Sequence, residues 1–311
     1  MKNFSSNEEK TRSIYHKQHL AHLQDRSIFN RFYKFAVDPS SYGVDKAFFQ
    51  GITVLDAGCG NTGYFQKAMY DLGAKRCVCI DIGDEWISEL KNLGVAENIP
   101  DSFLEFHSAS VNNLPFPDSS FDFVISNGVL MHLESIEKAC LAFSEMCRVV
   151  KKGGALYAYI GFEGGVIEKY ITPALRRAYV EDNNFKSLID SLNEKNLAKI
   201  VDRYITFATE NDDSLEVKKL QSFTDLITLD TIRFIQNVLQ VPVQNGALLT
   251  SSWGYEQYKK NNFINIKRMP DTYWQRNDIR KYLAPLHHDR TSELTKILYG
   301  TGHVKMMGTK A

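Results

Sequence analysis

The sequence predicts an α/β protein built on a parallel sheet with helices on both faces. Two observations carry the prediction. From Ile52 to Ile160, short apolar runs of strand length alternate with segments whose apolar residues recur at helical spacing, the pattern of repeated strand–helix–strand units. The first run also passes through a glycine-rich turn into a helical segment, Val54–Phe65 reading VLDAGCGNTGYF. Such a turn lets backbone approach a ligand at a helix N-terminus.

The elements follow in order. Residues 1–50 are polar, then aromatic, and predict helices over Tyr15–Asp25 and Ile28–Ala36, with a turn at Asp38–Gly43. Ile52–Asp56 is the first strand. The helix after the glycine turn carries Phe65, Ala68, Met69 and Leu72 on one face and stops at Gly73. Arg76–Asp81 is the second strand, Glu85–Leu93 a second helix, and Leu104–His107 and Phe121–Ser126 the third and fourth strands. Ser135 is placed to cap a helix with Ala139, Cys140, Phe143 and Cys147 on its apolar face. Arg148, Lys151 and Lys152 suit the negative end of its dipole and Gly153–Gly154 its stop. Ala155–Ile160 is a fifth strand, after which the alternation breaks.

Residues 161–250 predict helices and loops, with one ambiguous apolar stretch at Leu226–Ile235. The core pattern resumes with helix Ser251–Lys260, strand Phe263–Arg268 and, after a second detour, a last strand near His303–Met307. The expected organisation is an N-terminal helical cap at 1–50, a core at 51–160 and 251–311, and a helical lid or subdomain at 161–250. An insertion of that length is longer than a bare loop, and Gly161, Gly164 and Gly165 suit a hinge for it.

Composition bounds the function. The 311 residues hold 37 Lys+Arg against 37 Asp+Glu, so no net field draws the chain to nucleic acid or to an anionic membrane. No apolar run approaches the roughly 18 residues of a membrane helix, and the first residues lack the apolar core of a signal peptide. A cytoplasmic protein with neither partner is expected. Cys59, Cys77, Cys79, Cys140 and Cys147 include no C-x-x-C pair and read as reduced thiols. No metal site is expected: His16, His19 and His22 are three apart and drift around a helix rather than converging.

Gly58, Gly60 and Gly63 match G-x-G-x-x-G, a spacing shared by dinucleotide sites. Asp56 stands two residues before the first glycine. A carboxylate there opposes a diphosphate seated on the following helix N-terminus and suits a cofactor with a cationic tail. Asp81 ends the second strand, and a carboxylate accepts from both ribose hydroxyls in either cofactor class.

Downstream, DAGCG at Asp56–Gly60, CID at Cys79–Asp81, LPFPDSSFD at Leu114–Asp122 and RVVKKGG at Arg148–Gly154 occur in series. In that combination the chain resembles the class I S-adenosylmethionine-dependent methyltransferases, of the broad type that includes the ubiquinone-biosynthesis enzymes. The resemblance runs from about Val54 to Ile160 and resumes at 251–308. It implies a Rossmann-like, doubly wound, seven-stranded sheet whose last strand is antiparallel. It implies S-adenosylmethionine as cofactor, S-adenosylhomocysteine as product and a small-molecule methyl acceptor. Gly58, Cys59 and Gly60 would line the methionine moiety, with Asp56 near its ammonium. Asp81 would bind ribose, Ile82 would pack on adenine, and Ser110 and Val111 would meet the adenine edge. Many relatives have Asp where this chain has Ser110, whose hydroxyl accepts more weakly than a carboxylate. Asn127 would face the methionine end or the acceptor.

Methyl transfer from a sulfonium needs a base only where the acceptor must lose a proton. His132, just past the fourth strand, is the candidate. Phosphoethanolamine methyltransferases carry a similar segment whose His works with an N-terminal Tyr, and Tyr15 is the matching partner here. The other reading of His132 is a hydrogen bond within the helix-cap region. Tyr157, Tyr159, Phe162 and Tyr170 are read either as walls of an acceptor pocket or as core. Arg176 and Arg177 are read as an anion grip or a solvated helix face, and His287, His288 and Asp289 as cleft residues or a helix cap. Methylation of O or N is expected. A nicotinamide-dependent oxidoreductase and a non-catalytic cofactor-binding scaffold are the two competing classes.

Overall fold

The computed structural model describes residues 26–60, 62–83, 99–100, 102–193, 249–269 and 302–311, with isolated residues at 9, 12–13, 16, 239 and 297. Tyr15, His19, His22, the helix expected at Glu85–Leu93, the stretch Leu226–Ile235 and the segment His287–Asp289 lie outside the described residues. Two compact units divide the chain, Met1–Val166 with Val243–Ala311, and Ile167–Pro242.

The first unit is a seven-stranded sheet: β1 Thr53–Ala57, β2 Arg76–Asp81, β3 Leu104–Ser108, β4 Phe121–Asn127, β5 Val150–Glu163, β6 Phe263–Arg268 and β7 Gly302–Lys310. Their order is β3-β2-β1-β4-β5-β7-β6. Neighbours from β3 to β5 are parallel, while β7 runs antiparallel to both β5 and β6. The chain winds outward from β1 through β2 to β3, then returns to add β4 on the other side of β1. That reversal opens a crevice at the carboxyl ends of β1 and β4, where open α/β sheets bind ligands.

Both faces of the sheet are buried along its five inner strands. One carries Leu55, Val78, Val124, Leu156 and Met306 under α3 (Ile136–Val149) and α6 (Ser251–Lys260); the other carries Val54, Cys77, Phe123, Tyr157 and Met307 with α1 (Arg26–Ala36) and α2 (Tyr64–Asp71). Burial on both sides is why these strands read as near-continuous apolar runs. Tyr157 belongs to this core at 0% exposure, so it is no wall of an acceptor pocket. Tyr258 crosses from α6 to donate its hydroxyl proton within reach of Leu156 O and Met306 O, at 3.0 and 3.1 Å.

Helix α3 starts as expected, Ser135 Oγ accepting from Lys138 N at 3.2 Å. Its end differs. Gly153–Gly154 do not stop it: the helix ends at Val149 and Val150 already pairs with Phe121. Residues 151–154 form an irregularity inside β5, with Lys151 paired to Asp122 at 2.8 Å. The exposed helix carbonyls are met from elsewhere. Lys310 Nζ donates to Cys147 O and Val150 O at 2.9 Å each, and Ser120 N to Val149 O at 2.8 Å. Strand pairing and a cation from the last strand here replace the glycine stop.

Arg148 explains why the LPFPD segment and the RVVKKGG segment occur together. It donates to Leu114 O, Phe116 O and Asp118 Oδ1 at 3.1, 2.8 and 2.9 Å, while Glu145 accepts from Leu114 N at 3.0 Å. The end of α3 thus holds the loop that enters β4.

β5 runs on through Gly161, which pairs with Val304, so Gly161 is part of the strand and not of the expected hinge. Glu163 takes the backbone N–H of Ser251 at 2.6 Å and the Arg268 guanidinium at 2.7 Å. One carboxylate therefore ties the point where the insertion leaves the sheet to the point where the chain returns. The second unit contains helices α4 (Thr172–Glu181) and α5 (Asn183–Asp190). Asp182 caps α5 at 2.8 and 3.1 Å, and exposed Arg177 pairs with Glu181 at 2.9 Å, a solvated face rather than an anion grip.

Candidate active site

The turn after β1 is shaped by its own protein contacts. Gly58, Gly60 and Gly63 have φ of 85°, 55° and 73°, where a side chain is disfavoured. Gly58 is constrained twice, because a Cβ there would stand 2.2 Å from Val129 Cγ2. Gly58 N and Cys59 N both donate to Ile80 O at 2.9 Å, and Gly60 N donates to Asp81 Oδ2 at 3.0 Å. These N–H groups point at β2, so a diphosphate over this turn finds them already engaged.

Asp56 is 2% exposed. Its Oδ2 accepts from Gln66 Nε2 at 2.7 Å, and Gln66 is itself 2% exposed on the first turn of α2. Burial, and secondarily the charge of Asp81, pushes the Asp56 carboxyl from 3.8 up to about 8. A carboxylate held this dry is poised for a cation that restores its charge. Tyr64, also on α2, donates nothing to Asp56 but lies close enough that burial and then the Asp56 charge raise its hydroxyl. Asn127 Nδ2 reaches Tyr64 Oη at 3.4 Å, joining the end of β4 to the turn. Phe32 of α1 stacks on Tyr64 at 5.3 Å between centroids.

Asp81 accepts backbone N–H groups with both oxygens, Oδ2 from Gly60 and Oδ1 from Ile82 N at 2.7 Å. Ile82 is half-buried beside it. Ser110 Oγ accepts from Asn112 N at 3.3 Å, and Val111 is 6% exposed; both follow β3, the strand next to β2. His132 closes a short turn, Leu130–His132, after β4, and its N donates to Val129 O at 3.0 Å.

The structure thus gathers Asp56, Gly58, Cys59 and Gly60 on the β1 turn, Asp81 and Ile82 on β2, Ser110 and Val111 after β3, and Asn127 on β4, at one edge of one sheet. Gln66 and Tyr64 are residues the sequence reading missed. The signal for Gln66 was a polar residue inside the apolar face of Phe65, Ala68 and Met69. All five cysteines are free thiols, with Cys77 and Cys79 at 3.8 Å; among the described residues no group of His, Cys, Asp or Glu could hold a metal ion, and no helix is long and apolar enough to cross a membrane.

Comparison with known proteins agrees with this geometry. Residues 55–158 match the family model described as a methyltransferase domain. The chain is 32% identical over 142 residues to malonyl-[acyl-carrier protein] O-methyltransferase of Buchnera aphidicola, covering 46% of this chain and 53% of that protein. It is 34% identical over 126 residues to the ubiquinone/menaquinone biosynthesis C-methyltransferase UbiE of an Enterobacter species, covering 38% and 46%. It therefore spans about half the length of these relatives. Among solved structures, PKMT2 from Rickettsia typhi superposes with a TM-score of 0.52 at 13% identity, covering 88% of this chain and 53% of that one, a likeness of fold alone. Edge geometry, fold and sequence match coincide on the same residues: the stretch 55–158 matches a methyltransferase domain and is similar to those of S-adenosylmethionine-dependent enzymes, which take S-adenosylmethionine as cofactor.

Proposed function

We propose that the chain transfers a methyl group from S-adenosylmethionine to an O or N atom of a small-molecule metabolite by in-line displacement. The observation that carries this reading is the buried Asp56 carboxylate beside a glycine turn whose N–H groups are committed to Ile80 and Asp81. With those N–H groups engaged the turn offers a diphosphate little, while the carboxyl can ionise against an ammonium, which favours this reading over a nicotinamide oxidoreductase.

The residues fit the cofactor in order along the edge. Asp56, steadied by Gln66, would hold the methionine ammonium, with Gly58, Cys59 and Gly60 along the methionine chain. Asp81 would take the ribose hydroxyls, Ile82 would cover adenine, and Ser110 and Val111 would meet its edge. Asn127 would stand between the methionine end and the acceptor. The bound cofactor supplies an electrophilic methyl group with an activated leaving group, so the protein's part is alignment and exclusion of water. Where the acceptor bears a proton, His132 is the proposed base, with Tyr15 as its partner. The segment 161–250 is proposed as the lid over the acceptor.

Relatives matched over about a third of this chain include a probable tRNA methyltransferase of Mus musculus, 31% identical over 112 residues and 22% covered. The balanced charge of this chain favours a small acceptor over a polyanion. Calorimetry with S-adenosylmethionine, S-adenosylhomocysteine and NAD tests the cofactor; binding of NAD alone overturns the reading. Labelled S-adenosylmethionine incubated with a metabolite extract, followed by mass spectrometry, identifies the acceptor. Cofactor binding with no transfer to any acceptor would instead make the chain a scaffold.

A further inference from the structure

Gln66 is a polar residue in an apolar place. It lies in the first turn of α2 among the buried side chains Phe65, Ala68 and Met69, and it is itself 2% exposed. A glutamine this buried needs a partner that satisfies its amide. The partner is Asp56, ten residues earlier on β1, and Gln66 Nε2 donates to Asp56 Oδ2 at 2.7 Å. Gly63, at φ 73°, turns the chain into α2 three residues before Gln66. The turn that follows Asp56 thus brings its partner back to it.

An ionised carboxylate only accepts, so the amide must present its N–H end. Among the described residues this is the one hydrogen bond to the Asp56 side chain, and it leaves Oδ1 without a donor. The titratable groups that act on Asp56 or feel its charge are Asp81, Cys77 and Cys79 of β2, Cys59 of the turn, Tyr64 of α2, and Tyr42 from the turn after α1. Among the described residues no lysine or arginine is one of them.

Other residue types at position 66 would behave differently. A lysine would neutralise Asp56 from inside and leave no charge for an incoming ammonium. A glutamate would repel it. An aliphatic side chain would leave both oxygens bare, and a buried carboxyl with no donor holds its proton. A neutral amide stabilises the ionised form at one oxygen and leaves the charge and the other oxygen to a ligand.

We propose, resting on the methyltransferase reading above, that Gln66 is a positioning residue for cofactor binding: its amide fixes the Asp56 carboxyl through Oδ2 so that Oδ1 meets the methionine ammonium, and its neutrality reserves the carboxylate charge for the cofactor. A ligand that brings no cation to Oδ1 forgoes this ion pair. Asp56 and Gln66 together therefore select the amino-acid tail and are indifferent to the nucleoside.

Calorimetry on the full chain at pH 8 tests this with two probes. One is S-adenosylhomocysteine; the other is 5′-methylthioadenosine, which keeps the nucleoside and the thioether but lacks the amino-acid tail. Gln66→Met, unbranched and close in volume, should weaken S-adenosylhomocysteine binding about tenfold or more and leave 5′-methylthioadenosine within about twofold of the parent. Gln66→Lys should do the same by supplying an internal cation, and serves as the second variant if the methionine chain folds poorly. Equal losses for both probes, or S-adenosylhomocysteine affinity unchanged in the variants, overturns the positioning role while the methyltransferase reading stands. A parent chain that binds neither probe overturns both.

Discussion

Replacing Asp56 by Asn removes one charge and keeps the shape and a hydrogen-bonding partner for Gln66. In the unfolded chain the carboxyl titrates near 3.8, and in the folded protein near 8. Between those values the native state holds a proton that the unfolded state has lost. Stability of the cofactor-free protein therefore falls as pH rises through that window, by about 1.4 kcal/mol per unit and about 4 kcal/mol by pH 7. The Asn variant carries no such loss, so its Tm at pH 7 should exceed that of the parent by roughly 5–10 °C, with a gap of only a few degrees at pH 5. Ligand binding should move the other way. If the ammonium of S-adenosylhomocysteine needs the ionised carboxylate, only about a tenth of the protein is competent at pH 7 and about a hundredth at pH 6. The parent's Kd should fall about tenfold from pH 6 to pH 7 and level off above pH 8, with close to one proton released per ligand at pH 6. In the Asn variant the Kd should be flat over this range and at least about tenfold weaker at pH 8. Titration calorimetry in buffers of different ionisation enthalpy measures both affinity and proton release. A flat parent profile with no proton release, or an Asn variant less stable than the parent at pH 8, refutes the reasoning.

Three further substitutions test the other assignments. His132→Ala should lower kcat on a proton-bearing acceptor by about 10²–10⁴-fold and leave S-adenosylhomocysteine affinity nearly unchanged; an unchanged rate removes His132 as the base. Gly58→Ala puts a side chain at positive φ and against Val129, at a cost of at least about 1–3 kcal/mol. Its Tm and cofactor affinity should fall together, and Val129→Ala should restore part of both, which a cofactor titration on the double variant would reveal. Arg148→Ala leaves the carbonyls of Leu114 and Phe116 without their charged donor, and should cost about 2–3 kcal/mol in denaturant unfolding, since hydrogen bonds to charged groups are worth about 1.5–3 kcal/mol. A loss under 0.5 kcal/mol would mean the loop into β4 holds itself.

How far the site was legible depends on the range of the interactions that make it. Asp56, Gly58, Gly60 and Asp81 could be read because each sits at a strand end next to a turn, a place that neighbouring residues define. Gly58 was read for the right turn but for an incomplete reason: its lack of a side chain also makes room for Val129, which follows β4. The glycine stop at Gly153–Gly154 was misread because Val150 pairs with Phe121 before the glycines are reached, and a strand partner is invisible to local pattern. Tyr157 and Tyr159 look alike in sequence, yet one is core and the other borders Lys305.

The sequence by itself determined where the strands of the sheet fall, their alternation with the described helices and the carboxyl beside the glycine turn, because strand and helix periods are set within a few residues. Only the tertiary structure decided which distant residues share a row. Register across β4, β5 and β7 aligned Asn127, Tyr159 and Lys305, and packing on α2 placed Gln66 against Asp56. Hydrogen-bonded register and close packing are long-range constraints, satisfied by the whole sheet at once, and no window of neighbouring residues contains them.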